Sequence, residues 1–216
     1  MRIQWVILPL VFLACAGKIE AGAPQPFSDD LFLGWDGLRT SLREDGIDLR
    51  VGYTSETATN IQGGDKELWR YADQWTFAAT LDLQRLVGIE QAQFRIAITD
   101  RNGRNLSADA QLDDLQQVQE VYGNNETWYW TQFWYDQKYL DGKLDWKIGR
   151  LAGGEDFAAF SCEFLNFTFC GAAPGNIAGG SWYNWPVSQW ATRVKVNVGG
   201  FGYFQGGPLR STPTIS

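Results

Sequence analysis

Apolar and polar side chains alternate along most of this chain. Five segments place large apolar side chains at every second position, with polar or small side chains between them: residues 47–58, 71–83, 92–101, 126–150 and 189–198. Because successive side chains of a strand point to opposite faces, this period predicts two-faced β-strands. A tight turn at Asp141 and Gly142 splits residues 126–150 into two strands, and residues 201–204 predict a last one, which makes about seven.

The segments between the predicted strands are alternately short and long. Three of them are polar or irregular: a loop at 60–69, a long insertion at 102–125 with a short helix at 111–120, and a second long insertion at 152–188. Upstream, helical spacing of apolar residues predicts one short amphipathic helix within residues 27–46. Short turns on one side of a sheet and long loops on the other are typical of outer-membrane β-barrels.

Aromatic side chains are frequent, with 11 Trp, 8 Tyr and 13 Phe among 216 residues, and they are densest in residues 128–137. Trp and Tyr have an apolar body and a polar edge, which suits the interface between a bilayer and water. With the alternation, they predict an all-β fold: an antiparallel transmembrane β-barrel of the porin type, apolar outside and polar inside. Past the N-terminus, no stretch approaches the ~20 apolar residues that a membrane helix needs.

The first 23 residues have the features of a secretory signal peptide. Arg2 precedes an apolar run at residues 5–14 that is too short for a membrane span, and small residues offer cleavage sites between Ala16 and Ala23. Export places the mature chain, which begins with an N-terminal segment at residues 24–46, in the outer membrane of a Gram-negative bacterium. The exported chain then lies in an oxidising compartment, where a disulfide between its cysteines can form and persist.

The composition excludes several classes of function. The formal net charge is -7, which argues against nucleic-acid binding because that requires basic patches. The chain contains no His, which argues against a His-based triad, an HExxH zinc site and an imidazole base. Glu155 and Asp156 are adjacent carboxylates, but adjacent strand residues point apart, and nothing else supports a glycosidase. We predict no enzymatic activity, no cofactor and no metal site.

Several separate motifs, in order along the chain, resemble those of the carbohydrate-selective porins, the OprB family of Gram-negative outer membranes. They lie at residues 34–42, 102–109, 118–123, 149–157 and 185–193, and the loop that holds Cys162 and Cys170 looks similar as well. The resemblance runs from about residue 30 to residue 204. It implies a barrel of about sixteen strands whose narrowed pore passes sugars by diffusion.

The chain holds fewer than half of those strands, so we expect an incomplete, roughly half barrel at residues 47–206. The strand pattern breaks off at Gly206, Gly207 and Pro208, and residues 207–216 look like a tail outside the family pattern. We therefore interpret the chain as a porin that is truncated at its C-terminus. Its expected partners are small sugars, outer-membrane lipid and, for an intact copy, the barrel-assembly machinery.

Charged side chains on the inward-facing positions are the candidates for sugar contact. The pore-lining candidates are Arg50, Glu56, Arg95, Arg101, Glu120, Lys147 and Arg193. Mixed charges suit neutral sugars, since Arg and carboxylates hydrogen-bond hydroxyls without selecting one sign of ion. For any one of them, the plainer interpretation is that it hydrates the wall of the pore. Arg95 is mid-strand and Glu120 lies on the first long insertion, so these two are the strongest candidates.

The motif at residues 149–157 also predicts a structural role for Arg150. Arg150 has the lipid-facing parity but ends its strand, so we expect it at the membrane interface. There, a salt bridge with Glu155 or Asp156 that anchors the following loop is the expected role. Direct sugar contact is the less favoured role for this residue.

Two other functions remain open from the residues alone. A secreted carbohydrate-binding β-sandwich would also have short strands, aromatic residues and a disulfide. Such a sandwich buries one face of each strand in an aliphatic core, whereas here the apolar faces carry Trp and Tyr near the strand ends. A non-functional fragment is the second alternative.

We predict that Cys162 and Cys170 form an intramolecular disulfide that closes a small loop in the second long insertion. Export and a spacing of eight residues support the bridge, while two free thiols are the alternative. Thiol labelling of the unreduced, unfolded mature protein checks it, with the reduced protein as the positive control. Labelling of both cysteines without reductant would rule the bridge out.

Overall fold

The structure is a computed structural model, and it describes residues 5–8, 37–114, 117–122, 126–157 and 185–210. The strands in these residues form one antiparallel sheet in the order β1-β8-β7-β6-β5-β4-β3-β2. Their bounds are β1 Trp5–Leu8, β2 Ile47–Thr59, β3 Trp69–Asp82, β4 Ala92–Gly103, β5 Trp128–Tyr139, β6 Leu144–Leu151, β7 Gln189–Asn197 and β8 Tyr203–Arg210. From β2 to β8, each strand pairs with the next one along the chain.

The predicted all-β antiparallel fold is confirmed. Seven strands follow residue 46, and their bounds differ from the predicted ones by a few residues at most, apart from β8. The eighth strand, β1, has four residues, lies within the predicted signal peptide and pairs with β8 at the edge of the sheet. Cys162 and Cys170 lie outside the described residues.

The helices of the described residues are short. They are α1 Leu38–Glu44, α2 Leu83–Val87, α3 Leu106–Ala110 and α4 Gly153–Phe157, with a 3-10 turn at Gly199–Phe201. None of them is long and apolar enough to cross a membrane. Asp82 begins α2 by accepting hydrogen bonds from the backbone N–H groups of Gln84 and Arg85, which satisfies donors that a helix start leaves unpaired.

The prediction of a helix at residues 111–120 is wrong. The helix of that insertion is α3, which starts where the Asn105 side chain accepts a hydrogen bond from Ser107 N. It ends at Gln111, whose φ of 52° is in the left-handed region, and Asp113 follows with a φ of 53°. A positive φ breaks the helical hydrogen-bond ladder, so the residues after Ala110 turn away from the helix axis.

The two faces of the sheet have opposite chemistry, and the polar face is the buried one. Large apolar side chains are exposed on the outer face: Val51, Tyr53, Trp75, Phe77, Trp128, Trp130, Ile148, Trp190, Val194, Val196 and Phe204. Polar side chains are buried on the inner face: Glu56, Gln74, Thr99, Arg101, Gln132, Asp136 and Arg193. A sheet that exposes Trp and buries Arg is inverted with respect to a soluble protein, and it matches the wall of a membrane barrel.

Aromatic rings contact one another along the outer face. Tyr53 and Trp75 have ring centroids 4.5 Å apart, and stacked pairs at 6.1 Å join Trp75 to Phe77 and Phe77 to Trp128. These rings come from β2, β3 and β5, so the contacts run across strands. The row gives the outer surface a rigid aromatic patch of the kind that lies at a bilayer interface.

One irregularity interrupts the pairing of β4 with β5. Ala97 pairs with Gln132, but the next residue, Ile98, pairs with Trp130, so Thr131 is an extra residue in β5. Such a β-bulge shifts the alternation of the strand by one position.

The bulge reverses which side chains of β5 face inward. Trp130 before the bulge is 53% exposed on the outer face, whereas Gln132 after it is buried on the inner face. Because the period of two resumes from the new phase, Trp134 and Asp136 are buried on the inner face as well. The aromatic side chains of β5 therefore lie on both faces of the sheet.

The last strand is longer than the sequence pattern predicts. β8 continues through Gly206, Gly207 and Pro208 to Arg210, so the prediction that the strand breaks off at Gly206 is wrong. A Cβ atom on Gly207 would lie 1.8 Å from the carbonyl oxygen of Thr192 in β7. Glycine therefore allows the close approach of β7 and β8, and here it maintains the strand instead of ending it.

The strand connections at the two ends of the sheet differ in length. Residues 83–91, 140–143 and 198–202 connect the strands at one end of the sheet, the end at which α1 leads into β2. Residues 60–68, 104–127 and 152–188 connect them at the other end, and the last two of these connections are much longer than any at the first end. The predicted separation of short turns from long loops is present in the sheet.

We predict that the 216-residue chain, purified alone, forms no stable channel. In the described residues, β2 pairs with β3 only, so the sheet has an open edge. Each unpaired backbone group costs several kcal/mol in hydrocarbon, so an open sheet does not span a bilayer. Planar-bilayer recording checks this, with a full-length carbohydrate-selective porin as the positive control. Reproducible single-channel steps from the chain alone would contradict it.

Candidate functional site

The inner face of β2, β3 and β4 carries a row of side chains that the register aligns. Asp48 pairs with Thr80, and Thr80 pairs with Arg95. Arg95 donates a hydrogen bond of 2.7 Å from Nη1 to Thr80 Oγ1. Arg50 donates from Nε to Asp48 at 2.9 Å. The row therefore holds two guanidinium groups on the inner wall, each oriented by a neighbour on the sheet.

Gln132 connects this row to α4, the first turn of the second long loop. Its Oε1 accepts a hydrogen bond of 2.5 Å from Arg95 Nε, and its Nε2 donates to the two carboxylate oxygens of Glu155 at 2.8 and 2.9 Å. Burial raises the pKa of Glu155, although the hydrogen bonds from Gln132 and the charges of Lys147 and Arg95 oppose that shift. The loop after β6 is thus bonded to the wall on its inner side.

A cluster of buried ions joins β5, β6, β7 and α4. Arg193 Nη2 lies 3.0 Å from Asp136 and 2.9 Å from Asp145, and Arg193 Nε lies 3.6 Å from Asp156. Lys147 Nζ pairs with Asp156 at 2.8 Å. Arg193 is only 3% exposed, so its ion pairs lie behind the surface that water or a solute reaches.

A small apolar core lies beside the ion cluster on the same inner face. It consists of Trp134, Leu151, Ala191 and Leu209, contributed by four neighbouring strands. Lys147 Nζ lies 4.7 Å above the Trp134 ring, at cation–π distance. Phe157 at the end of α4 is buried as well. Apolar packing and ion pairs therefore hold α4 against the inner wall together.

The expected role of Arg150 is wrong. Arg150 pairs with neither Glu155 nor Asp156 but donates to Ser188, from Nε to Oγ at 3.1 Å and from Nη2 to the carbonyl oxygen at 2.8 Å. The outward parity of Arg150 keeps it on the opposite face from α4, whose acids turn inward to Gln132 and Lys147. It anchors the far end of the long loop instead of its beginning.

The first long insertion also folds against the inner face. Glu56 on β2 accepts a hydrogen bond of 3.0 Å from Val121 N, and Gln119 donates to the Glu56 carbonyl at 3.2 Å. Burial raises the pKa of Glu120, and the positive charge of Arg101 opposes this shift. The insertion therefore folds against the inner wall and brings Glu120 toward Arg101, while sugar contact by Glu120 stays a prediction.

Arg101 lies further along β4 and is held by the wall. Its Nε donates to Gln74 Oε1 at 2.7 Å, and Trp185 Nε1 donates to the same oxygen at 3.2 Å. At the outer rim of this insertion, Asp109 accepts from Arg70 and lies 2.8 Å from Arg104, and the hydrogen bond from Arg70 lowers the pKa of Asp109. These contacts fix the loop end of the wall.

The seven pore-lining candidates divide into two groups by burial. Glu56, Arg101 and Arg193 are nearly inaccessible, while Arg50, Arg95 and Lys147 are partly exposed on the inner wall. The seventh, Glu120, lies on the folded-in insertion and is half-buried. The second group is accessible on the inner face, whereas the first group lies behind that surface.

Three site residues, Gln132, Trp134 and Asp136, escaped the sequence analysis, and Asp156 was assigned a different ion-pair partner from the Lys147 and Arg193 that it has. The first three have the outward parity if β5 alternates without interruption from Trp130, and only the bulge brings them inside. Asp156 lies on a short helix within a long loop, where period-two patterning carries no information. The described residues contain no group of three or more acidic, Cys or His side chains that could bind a metal ion.

An open cleft of about 740 Å³ lies at the short-turn end of the wall. Its lining includes Arg43 of α1 and Arg85 of α2, and it reaches Asp48 and Thr80 on the inner face. Arg85 also donates to the carbonyl oxygen of Glu44 at 2.9 Å, which holds the end of α1 beside the cleft.

An open antiparallel sheet with an aromatic outer face, a charged inner face and inward-folded loops defines the wall of an outer-membrane β-barrel of the porin type. The sequence profile of the carbohydrate-selective porins, OprB family, matches residues 66–216. The chain belongs to this family. The match includes residues 207–216, which the sequence analysis had placed outside the family pattern.

Similar proteins agree with this assignment. The chain is 44% identical to Porin B of Pseudomonas aeruginosa over 90% of its own length and 44% of that protein, and 36% identical to the putative porin QuiX of Acinetobacter baylyi over 87% and 45%. A high-pH structure of Pseudomonas putida OprB superposes with a TM-score of 0.80 at 47% identity, over 84% of this chain and 44% of that one. A low-pH structure of that protein gives a TM-score of 0.58.

The chain spans a little under half the length of the curated relatives that it matches. Porins of this family are outer-membrane proteins of Gram-negative bacteria. For functional tests, this chain can be joined to the part of Porin B that lies outside the matched region. We refer to that fusion as the completed barrel.

We predict that Arg193→Met destabilises the completed barrel by about 3–5 kcal/mol, because it leaves Asp136 and Asp145 as buried charges without their main partner. Urea unfolding in lipid vesicles, followed by tryptophan fluorescence, measures the loss. Arg50→Met is the matched control and should cost at most about 1 kcal/mol, since Arg50 makes a partly exposed pair with Asp48. Equal shifts for the two variants would contradict a structural role for the ion cluster.

Proposed function

We propose that the chain forms part of the wall of an outer-membrane pore through which small sugars such as glucose diffuse passively. The observation that carries the proposal is the inverted sheet, with exposed Trp and Phe outside and buried or half-buried charged groups inside. A lipid-facing exterior and a polar interior suit a water-filled path across a membrane. Family membership supports the carbohydrate selectivity, since the family is that of the carbohydrate-selective porins.

The charges of the inner wall favour a neutral, hydroxyl-rich solute. Cations and carboxylates are interleaved: Arg50 with Asp48, Lys147 with Asp156, and Arg193 with Asp136 and Asp145. Because opposite charges cancel over short distances, the wall offers a mixture of hydrogen-bond donors and acceptors without a strong field of one sign. Sugar hydroxyls both donate and accept, so they can replace lost hydration at such a wall.

We place the direct sugar contacts at Arg50, Arg95, Glu120 and Lys147, which line the accessible part of the wall or the insertion folded against it. Arg95 is the central one, since it lies mid-strand and its position is fixed from both sides. Glu56, Arg101 and Arg193 act indirectly, because they are nearly inaccessible and hold the loops and strands in place. Diffusion through such a pore requires no catalytic group and no cofactor.

The proposal also covers the location of the protein in the outer membrane and the way in which it is exported and inserted there. A signal peptide at residues 1–23 directs export, outer-membrane lipid contacts the aromatic outer face, and the barrel-assembly machinery inserts the complete barrel. A secreted β-sandwich is disfavoured, because a sandwich would pack its apolar strand faces together, and here Val51, Trp75 and Trp128 are all at least 40% exposed.

We predict that the completed barrel makes liposomes permeable to glucose and much less so to large oligosaccharides. Arg95→Ala should weaken the sugar-dependent block of its ion current about tenfold, since a hydrogen bond from a charged donor contributes roughly 1.5–3 kcal/mol. Liposome swelling and planar-bilayer recording measure the two effects.

Arg104→Ala is the matched control for that experiment. It removes the same side chain from an exposed loop position, where Arg104 pairs only with Asp109 among the described ion pairs. This variant should swell and block as the parent does. The assignment of Arg95 fails if Arg95→Ala leaves both conductance and sugar block unchanged.

A further inference from the structure

We propose that Gln132 is a positioning residue of the sugar path, which fixes the direction in which Arg95 presents its guanidinium to the solute. The inference rests on the proposed function, because it assigns a role to a side chain behind the proposed sugar contact. Gln132 itself is 6% exposed, so it acts through Arg95 and does not meet the solute.

Chemistry alone sets the orientation of the Gln132 amide. An arginine guanidinium only donates hydrogen bonds, and an ionised carboxylate only accepts them. Gln132 therefore turns its oxygen to Arg95 Nε, at 2.5 Å, and its nitrogen to both oxygens of Glu155, at 2.8 and 2.9 Å. A rotation of the amide would bring two donors together on one side and two acceptors together on the other.

Two bonds then fix the plane of the Arg95 guanidinium. Its Nε is held by Gln132 and its Nη1 by Thr80 Oγ1, on strands to either side of β4. Among the residues that the structure describes, no acceptor bonds Arg95 Nη2. Because the guanidinium is a rigid planar fork, restraining two of its nitrogens also determines where the third one points. The two N–H groups of Nη2, with the second N–H of Nη1, remain for the hydroxyls of a solute.

The bulge at Thr131 is an independent observation that supports this role. If β5 alternated regularly from Trp130, position 132 would face the lipid side. The bulge costs a regular pairing in β5 and returns Gln132 to the inner wall beside Arg95. Bulges that re-aim a side chain are frequent next to functional sites.

The hydrogen bonds from Glu155 through Gln132 to Arg95 also connect the position of α4 to the proposed sugar contact. Glu155 lies on α4, and α4 is held by Lys147 and Arg193 through Asp156. A displacement of α4 would remove the acceptor that orients the Gln132 amide, and Arg95 would lose its fixed direction. Sugar affinity should therefore depend on Gln132 although this residue does not contact sugar.

Hydrogen exchange of the Arg95 Nε–H, followed by side-chain ¹⁵N NMR of the completed barrel, tests the geometry directly. Gln132→Leu removes the acceptor and should accelerate this exchange about tenfold or more, because the bonded proton becomes accessible to water. Gln74→Leu is the matched control. It removes the same kind of contact from Arg101, at 2.7 Å, and should leave the Arg95 signal unchanged.

The double variant Gln132→Glu/Glu155→Gln exchanges the two partners. A carboxylate at position 132 can still accept from Arg95, and an amide at position 155 can still donate to it, so the slow exchange of Arg95 Nε–H should return. Slow exchange in Gln132→Leu and in the double variant alike would show that packing, and not an acceptor at position 132, protects the Arg95 Nε–H.

Sugar block of the ion current gives the functional readout. Gln132→Leu should weaken the block about tenfold while the conductance of the open pore stays near that of the parent. In an Arg95→Ala background, Gln132→Leu should have no further effect on the sugar block.

An equal loss of sugar block in both backgrounds, or Arg95 Nε–H exchange that Gln132→Leu does not accelerate, would overturn the role of Gln132. Absence of sugar block in the unsubstituted barrel would instead overturn the proposed function, and the exchange measurement would still decide the role of Gln132.

Discussion

The constraint on which this structure depends is that backbone N–H and C=O groups find no water in hydrocarbon. Each strand of a membrane sheet must therefore hydrogen-bond to a strand on both sides. In the described residues, β3 to β8 each have a partner strand on both sides and β2 has one, and Gly207 lets β8 approach β7 closely enough to continue the series. Once the backbone is satisfied in this way, the outer face is free to be apolar and the inner face polar, which is the reverse of a soluble core.

The inner face presents a problem of its own, since charges that lose water need partners. The wall solves it by pairing nearly every buried cation with a carboxylate or an amide: Arg193 with Asp136 and Asp145, and Arg101 with Gln74. Removing one partner of such a pair leaves an uncompensated charge, so these contacts keep the wall in one arrangement. The accessible cations are oriented by their neighbours: Arg95 by Thr80 and Gln132, and Arg50 by Asp48.

A single inserted residue has a large effect on this arrangement. The bulge at Thr131 moves Gln132, Trp134 and Asp136 from the lipid side to the lumen. Of these three side chains, Gln132 bonds Arg95, Trp134 belongs to the small apolar core and Asp136 belongs to the ion cluster. The chemistry of half of the inner wall therefore follows from one irregular pairing between β4 and β5.

The sequence by itself determined the strands, their two faces and the family, because a side-chain period of two and an excess of Trp and Tyr are local properties that survive without coordinates. It also identified Arg95 and Arg193 as inward-facing. Only the tertiary structure decided the phase of β5 beyond Thr131, the course of β8 past Gly206, and the folding of α4 against the wall. Each of these features depends on contacts between strands or loops that are distant in sequence. Hydrogen-bond register and ion pairing produce no periodic pattern of residues, so the sequence alone does not reveal them.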